Sequence, residues 1–230
     1  MTLLAIDCAA SLCAACVYDQ TTGKTLGREV RDLGKGHAEH LMDVIATALA
    51  AAGKAYADLD RIAVSVGPGS FTGVRVGVST ARGLALALKI QAIGVTTLEA
   101  IAAEGFARAG DVAPENVLAA IDGGRDGIYI GVYDRFGSVR YDPAIATLEE
   151  AARLASREGL ALAGSAAGKI AALAGGDVRM TGFEGATADI AVYARLAGGE
   201  EIPDEKPKPL YLRAPDAKPQ AGFVLPRRPS

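Results

Sequence analysis

The chain has 230 residues, 50% of them hydrophobic and 22% charged, with a formal net charge of -3. That length allows one large domain or two small ones around a buried core. The negative balance speaks against a nucleic-acid binder acting alone, because such proteins draw their affinity from Lys and Arg on phosphates; work on RNA would run through a partner. No apolar run is long enough to span a bilayer. Residues 1–7 are too short for a signal peptide and lack its basic start, so a cytoplasmic location is expected and no membrane partner.

Residues 3–7 read as a short apolar strand ending in an acid, Asp7. A small-residue turn follows, then strands over 12–18 and 26–32 separated by the turn-forming run DQTTG. Three strands joined by tight turns form an antiparallel meander. Cys8, Cys13 and Cys16 are an odd number and a poor disulfide framework. Cys13 and Cys16 lie on one strand, where positions three apart point to opposite faces, so they read as small buried residues.

The next segment, 38–52, is helical. Leu41, Val44, Ile45, Ala48, Leu49 and Ala52 recur at helical spacing, and Gly53 is its stop. A strand over 61–66 runs into GPGSFTG and a helix over 74–88, with Val74, Val78, Ala81, Ala85 and Leu88 on one stripe. A strand over 91–95 completes the order βββαβαβ, in which helix-linked strands pair in parallel.

The second half starts again. A helix over 97–108 and a linker-like stretch over 110–116 precede a strand over 117–122 ending in Asp122. A glycine turn over 123–127 and a strand over 128–133 follow. Strand, acid, turn and strand therefore occur twice. Helices over 148–158, 166–173 and 188–196 and a short strand over 161–163 complete the ordered part. Beyond residue 200, Pro203, Pro207, Pro209, Pro215, Pro219, Pro226 and Pro229 prevent regular structure. The tail is expected to run over the surface, with 210–213 docked. Two units are expected, 1–105 and 106–230, the second shortened.

Four groups of residues invite a chemical reading. Gly67, Gly69, Ser70, Thr72 and Gly73 form a candidate anion or nucleotide loop at a helix N-terminus. The loop lacks the Lys of a P-loop, and Ser70 or Thr72 could cap the helix instead. Asp7 and Asp122 end the two repeated strands. His37 and His40 are one helical turn apart, but no third metal ligand accompanies them; they read as polar, solvated residues at a helix start.

The strings GHAEHLMDVIATALAAAG and LDRIAVSVGPGSFTGVRVGVSTARGLALAL, with LAIDCAASLCAACVYD at the start and KPLYLRAPDAKPQ near the end, closely resemble the TsaB (YeaZ-like) family. The resemblance implies the α/β fold of actin, hexokinase and Hsp70 (the ASKHA fold), with two lobes and an abbreviated second one. In kinases of that superfamily, acids at the positions of Asp7 and Asp122 help place Mg²⁺ and phosphate. Here the first turn is CAAS, without the glycine that lets backbone approach closely, so both acids read as vestigial. The catalytic paralogue TsaD holds its metal with His-x-x-x-His after the strand that follows the glycine loop; Thr97 and Ile101 stand there in this chain.

The resemblance thus implies a subunit with no catalytic residue, metal or cofactor of its own, ATP and metal belonging to partner subunits. It implies a scaffold for TsaD in threonylcarbamoylation of the adenosine beside the tRNA anticodon. TsaE would dock on the pair, tRNA would be met through the complex, and the chain alone would form a homodimer. The implied interface lies on the first two helices, with Leu41, Val44, Ile45 and Leu49 on one and Val74, Val78, Ala81 and Ala85 on the other. The same residues serve equally as core, and sequence does not divide the faces. The rival expectation is a small ATP-binding, kinase-like enzyme of the same fold.

Overall fold

A computed structural model describes residues 1–110, 114–124, 127–175, 178–199 and 205–212. Part of the expected linker (111–113), Arg125 and Asp126 of the second turn, Arg213 of the expected docked segment, and Pro203, Pro215, Pro219, Pro226 and Pro229 lie outside the described residues. The chain runs β1 (Thr2–Asp7), β2 (Leu12–Asp19), β3 (Lys24–Asp32), α1 (His37–Ala52), a short 3-10 turn (Tyr56–Asp58), β4 (Arg61–Ser65), α2 (Phe71–Leu88), β5 (Gln91–Val95) and α3 (Thr97–Ala109). It continues through β6 (Asn116–Asp122), β7 (Ile128–Asp134), β8 (Val139–Ala146), α4 (Leu148–Glu158), β9 (Ala161–Ala163), α5 (Ala167–Ala174) and α6 (Ile190–Gly199).

Two sheets form. The first has the order β3-β2-β1-β4-β5, with the meander β1–β2–β3 antiparallel and β1–β4–β5 parallel. The second, β8-β7-β6-β9, repeats the pattern with an antiparallel meander and β9 parallel to β6.

β1 is covered on both faces, which is why it reads as an unbroken apolar run. Leu4 and Ile6, with Cys13, Ala15 and Val17 of β2, pack under α1 and α2. Leu3 and Ala5, with Ala14, Cys16 and Tyr18, pack against α6 and α3. Cys13 and Cys16 do face opposite ways. In the second sheet, Leu118 and Ala120 face α4 and α5, while Val117, Ala119 and Ile121 face α3. Helix α3 therefore lies between the sheets, and α6 returns from the end of the second half to cover the first sheet.

Three local differences from the sequence reading have physical causes. Helix α2 starts at Phe71, not at residue 74, because the Ser70 hydroxyl accepts a hydrogen bond from the Gly73 N–H at 3.2 Å and caps it. Strand β8 was not expected. It is an outer strand, exposed along its first half, and contains Pro143, so it carries no alternation to read. Helix α6 begins at Ile190, two residues later than the periodicity suggests.

Candidate functional site

β1 ends at the first of the two repeated acids. The Asp7 Oδ1 atom accepts from the Ala9 N–H at 2.9 Å, and Oδ2 accepts from the Thr187 hydroxyl at 2.6 Å. The Thr187 Oγ1 lies 2.7 Å from the Tyr193 hydroxyl. Asp7 is 1% exposed. Burial pushes its carboxyl above the ordinary range, while the hydroxyls of Ser65 and Thr187, the Ala9 N–H and the charge of His37 oppose this. The Ser65 hydroxyl faces the site without reaching hydrogen-bond geometry. Burial also holds the Tyr193 hydroxyl well above its usual value, and the Asp7 charge adds to this. Thr187 and Tyr193 belong to the segment that returns to the first sheet, and no local pattern marked them.

This turn does not fit a nucleotide phosphate or its metal. Both carboxyl oxygens are engaged within the chain. The glycine loop is closed against the same turn: the Ser70 N–H donates to the Ala9 carbonyl at 2.7 Å, and the Gly73 N–H is bonded to Ser70. A Cβ at Gly69 would overlap the Ala9 carbonyl, and one at Gly73 the Cys8 carbonyl. These glycines thus let backbone approach backbone. Gly67, with positive φ, sends its carbonyl to the Thr97 N–H at 2.8 Å, at the start of α3. Thr72 is exposed and caps nothing.

The second acid repeats the local geometry in a different setting. Asp122 Oδ1 accepts from the Gly124 N–H at 2.9 Å, two residues on, as Asp7 does from Ala9. Asp122 is exposed and paired with Lys169, and the Ser165 hydroxyl accepts its backbone N–H. The Lys169 ammonium, with the Gly124 N–H, holds the Asp122 carboxyl below its ordinary range.

The histidines depart from expectation. His37 is buried, not solvated, with its Nε2 atom unpartnered, whereas His40 is partly exposed. His37 lies close enough to Asp7 for its charge to act on that carboxyl. Thr97 and Ile101 are wholly buried. Among the described residues no three His, Cys, Asp or Glu side chains come together as a metal site. Cys8 and Cys13 lie with sulfurs 3.9 Å apart and are buried free thiols.

The two helix stripes require a correction. Leu41, Val44, Ile45 and Leu49 of α1 and Val74, Val78, Ala81 and Ala85 of α2 are all buried in the chain's own core, against the first sheet. A helix laid on a sheet turns its apolar stripe inward, and these side chains face the sheet. The outward faces carry Met42, 47% exposed, Phe71, 57%, and Leu86, 76%. Beside Phe71 lies a cleft of about 470 Å³ lined by Arg75, Val78, Ser79, Arg82, Pro209 and Tyr211. Its outer wall is the segment 205–212, docked where the Leu210 N–H donates to the Val66 carbonyl at 2.8 Å. The Arg75 Nε donates to the Tyr211 hydroxyl at 2.7 Å, and the guanidinium sits 4.1 Å from the Phe71 ring centroid. The polar residues of α2 at i, i+4 and i+7 (Arg75, Ser79, Arg82) are legible in the sequence; the wall supplied by Tyr211 is not.

Two sheets of matching topology, each starting with a meander and an acid-ended strand, define an actin- and hexokinase-like α/β protein. The family model described as "TsaD: tRNA N6-adenosine threonylcarbamoyltransferase" matches residues 31–196. The chain is 33% identical over 135 residues to the tRNA threonylcarbamoyladenosine biosynthesis protein TsaB of Escherichia coli, covering 59% of this chain and 56% of that protein. It therefore spans little more than half the length of that relative. An uncharacterised protein of Mycobacterium bovis is 33% identical over 222 residues, 96% of this chain and 95% of its own. The structure of YeaZ from Pseudomonas aeruginosa superposes with a TM-score of 0.75 at 28% identity, covering 92% of this chain and 99% of that one. The chain belongs to the TsaB (YeaZ-like) family.

Proposed function

We propose that this chain acts in the formation of threonylcarbamoyladenosine in tRNA as a non-catalytic subunit that binds and orders the catalytic threonylcarbamoyltransferase, TsaD. The names of its relatives support the pathway. The observation that carries the non-catalytic reading is the closure of the first turn. The acid that would face a phosphate in a kinase of this fold is buried and held by Thr187 from the chain's own second half.

Docking is assigned to the outward faces of α1 and α2. Met42, Phe71 and Leu86 give it exposed apolar side chains, and joined in one patch these would make an interaction site. In isolation the same face would pair two copies of the chain about a two-fold axis. TsaE would join the assembled pair, and tRNA would be met through the complex, in keeping with a chain of net charge -3. The subunit's contribution is a shift of TsaD toward its active state, drawn from contacts made better in that state.

The test is a reconstitution on unmodified tRNA with TsaD, TsaE, ATP and threonylcarbamoyl-adenylate, with and without this chain. Transfer that requires the chain, and that Asp7→Asn leaves intact while Leu86→Glu reduces it, supports the reading. Transfer indifferent to the chain, together with ATP turnover by the chain alone, would establish the kinase-like alternative.

A further inference from the structure

We infer that the cleft between α2 and the 205–212 segment receives a carboxylate side chain of the catalytic subunit, gripped between Arg75 and Arg82. The inference rests on the docking face proposed above and names the chemistry that face selects.

Arg75, Ser79 and Arg82 are spaced at i, i+4 and i+7, which sets them on one side of α2. All three line the cleft. Helix α2, FTGVRVGVSTARGLALAL, has no acidic residue. Elsewhere among the described residues Arg28, Arg31, Arg108, Arg140 and Arg157 each meet a carboxylate, while Arg61, Arg135, Arg153, Arg179 and Arg195 form no ion pair; Arg75 and Arg82 differ from these in lining one cleft together. Arg75 meets only the neutral Tyr211 hydroxyl and the two aromatic rings. Arg82 has no ion pair or hydrogen bond among the described residues.

Two uncompensated guanidinium groups therefore share one concave site on a protein of net negative charge. An anion seated between them would be attracted by both. A carboxylate suits the planar fork of a guanidinium, which can donate two parallel hydrogen bonds to it. Tyr211 and Phe71 hold Arg75 in place beforehand, so less side-chain freedom is lost on binding. The apolar neighbours Phe71 and Leu86 would exclude water from the pair once a partner covers them, which strengthens the attraction. A second copy of this chain also carries carboxylates on the outward face of α1, Glu39 and Asp43, and is the competing occupant in the test.

The experiment uses the full chain and the purified catalytic subunit. Calorimetry compares wild type with Arg82→Gln and Arg75→Gln, and sedimentation reports whether each complex forms. In parallel, Arg82→Lys is treated with a water-soluble carbodiimide in the complex, and the new amide is mapped by mass spectrometry. The expected result is at least about tenfold weaker binding for each Gln variant with unchanged melting temperature, and a weaker salt dependence. The amide should join position 82 to an Asp or Glu of the catalytic subunit. Wild-type affinity in both Gln variants, or cross-links only to Glu39 or Asp43 of a second copy, overturns the inference while leaving the docking face standing. Absence of any complex with wild type removes both.

Discussion

The Thr187 hydroxyl donates to Oδ2 of Asp7 at 2.6 Å across 180 positions of sequence. This bond ties the end of the central strand to the segment that enters α6, and it closes the turn that would otherwise face a ligand. Asp7→Ala would strand the Ala9 N–H and the Thr187 hydroxyl in a buried site, at a cost of about 1–3 kcal/mol. Asp7→Asn keeps an acceptor for Ala9 and offers a donor to Thr187, and should cost much less. Urea unfolding of the two variants measures the difference.

The same carboxyl gives stability a pH dependence of unusual sign. Unfolded, it titrates near 3.8; folded, burial raises it. Between those values the folded state binds more protons, so this group's contribution falls as pH rises through the window and is constant above it. Asp7→Asn removes that slope. Calorimetry from about pH 4 to about pH 8 should show the variant gaining on wild type as pH rises. His37, Tyr193 and Cys8 interact with this charge, so the difference between the two proteins reports Asp7 together with its coupling to them.

Two glycines of α2 should respond in opposite ways to alanine. At Gly73 the new methyl would overlap the Cys8 carbonyl, a backbone atom of the buried turn after β1, and the protein should lose several kcal/mol, on the order of 3 or more, or fail to fold. At Gly83 there is nothing within 4 Å. There alanine should stabilise by about 0.5–1 kcal/mol through helix propensity. Thermal melts of the two variants decide the matter.

Charge on the helices separates core from surface. Ala81→Glu buries an unpaired carboxylate among apolar side chains and should abolish folding, as judged by circular dichroism. Leu86→Glu, on a side chain 76% exposed, should leave the melting temperature unchanged while reducing association with the catalytic subunit.

Tyr211 fastens the outer wall of the cleft. Tyr211→Ala removes its hydrogen bond with Arg75 and its contact with the Phe71 ring, 5.7 Å between centroids. Amide exchange across 205–212 should quicken, with the protection of β1 and β4 unaltered.

Local signals determined much of this protein. Alternation, helical spacing and turn residues placed the βββαβαβ order, and the bounds of β5, α4 and β9 agree with the structure residue for residue. The string around GPGSFTGVRVG pointed to the family, because Gly69 and Gly73 must admit the backbone of the first turn and Ser70 must cap α2. Tertiary structure alone decided which face of α1 and α2 is outward. An amphipathic pattern shows that a stripe is apolar, and only the position of the sheet shows that Leu41 and Val78 spend it on the core. The closing of Asp7 by Thr187, the burial of His37 and the wall that Tyr211 gives to Arg75 depend on segments brought together from distant parts of the chain. Such contacts leave no periodicity, since their spacing is set by the path of the whole chain and not by the geometry of one element.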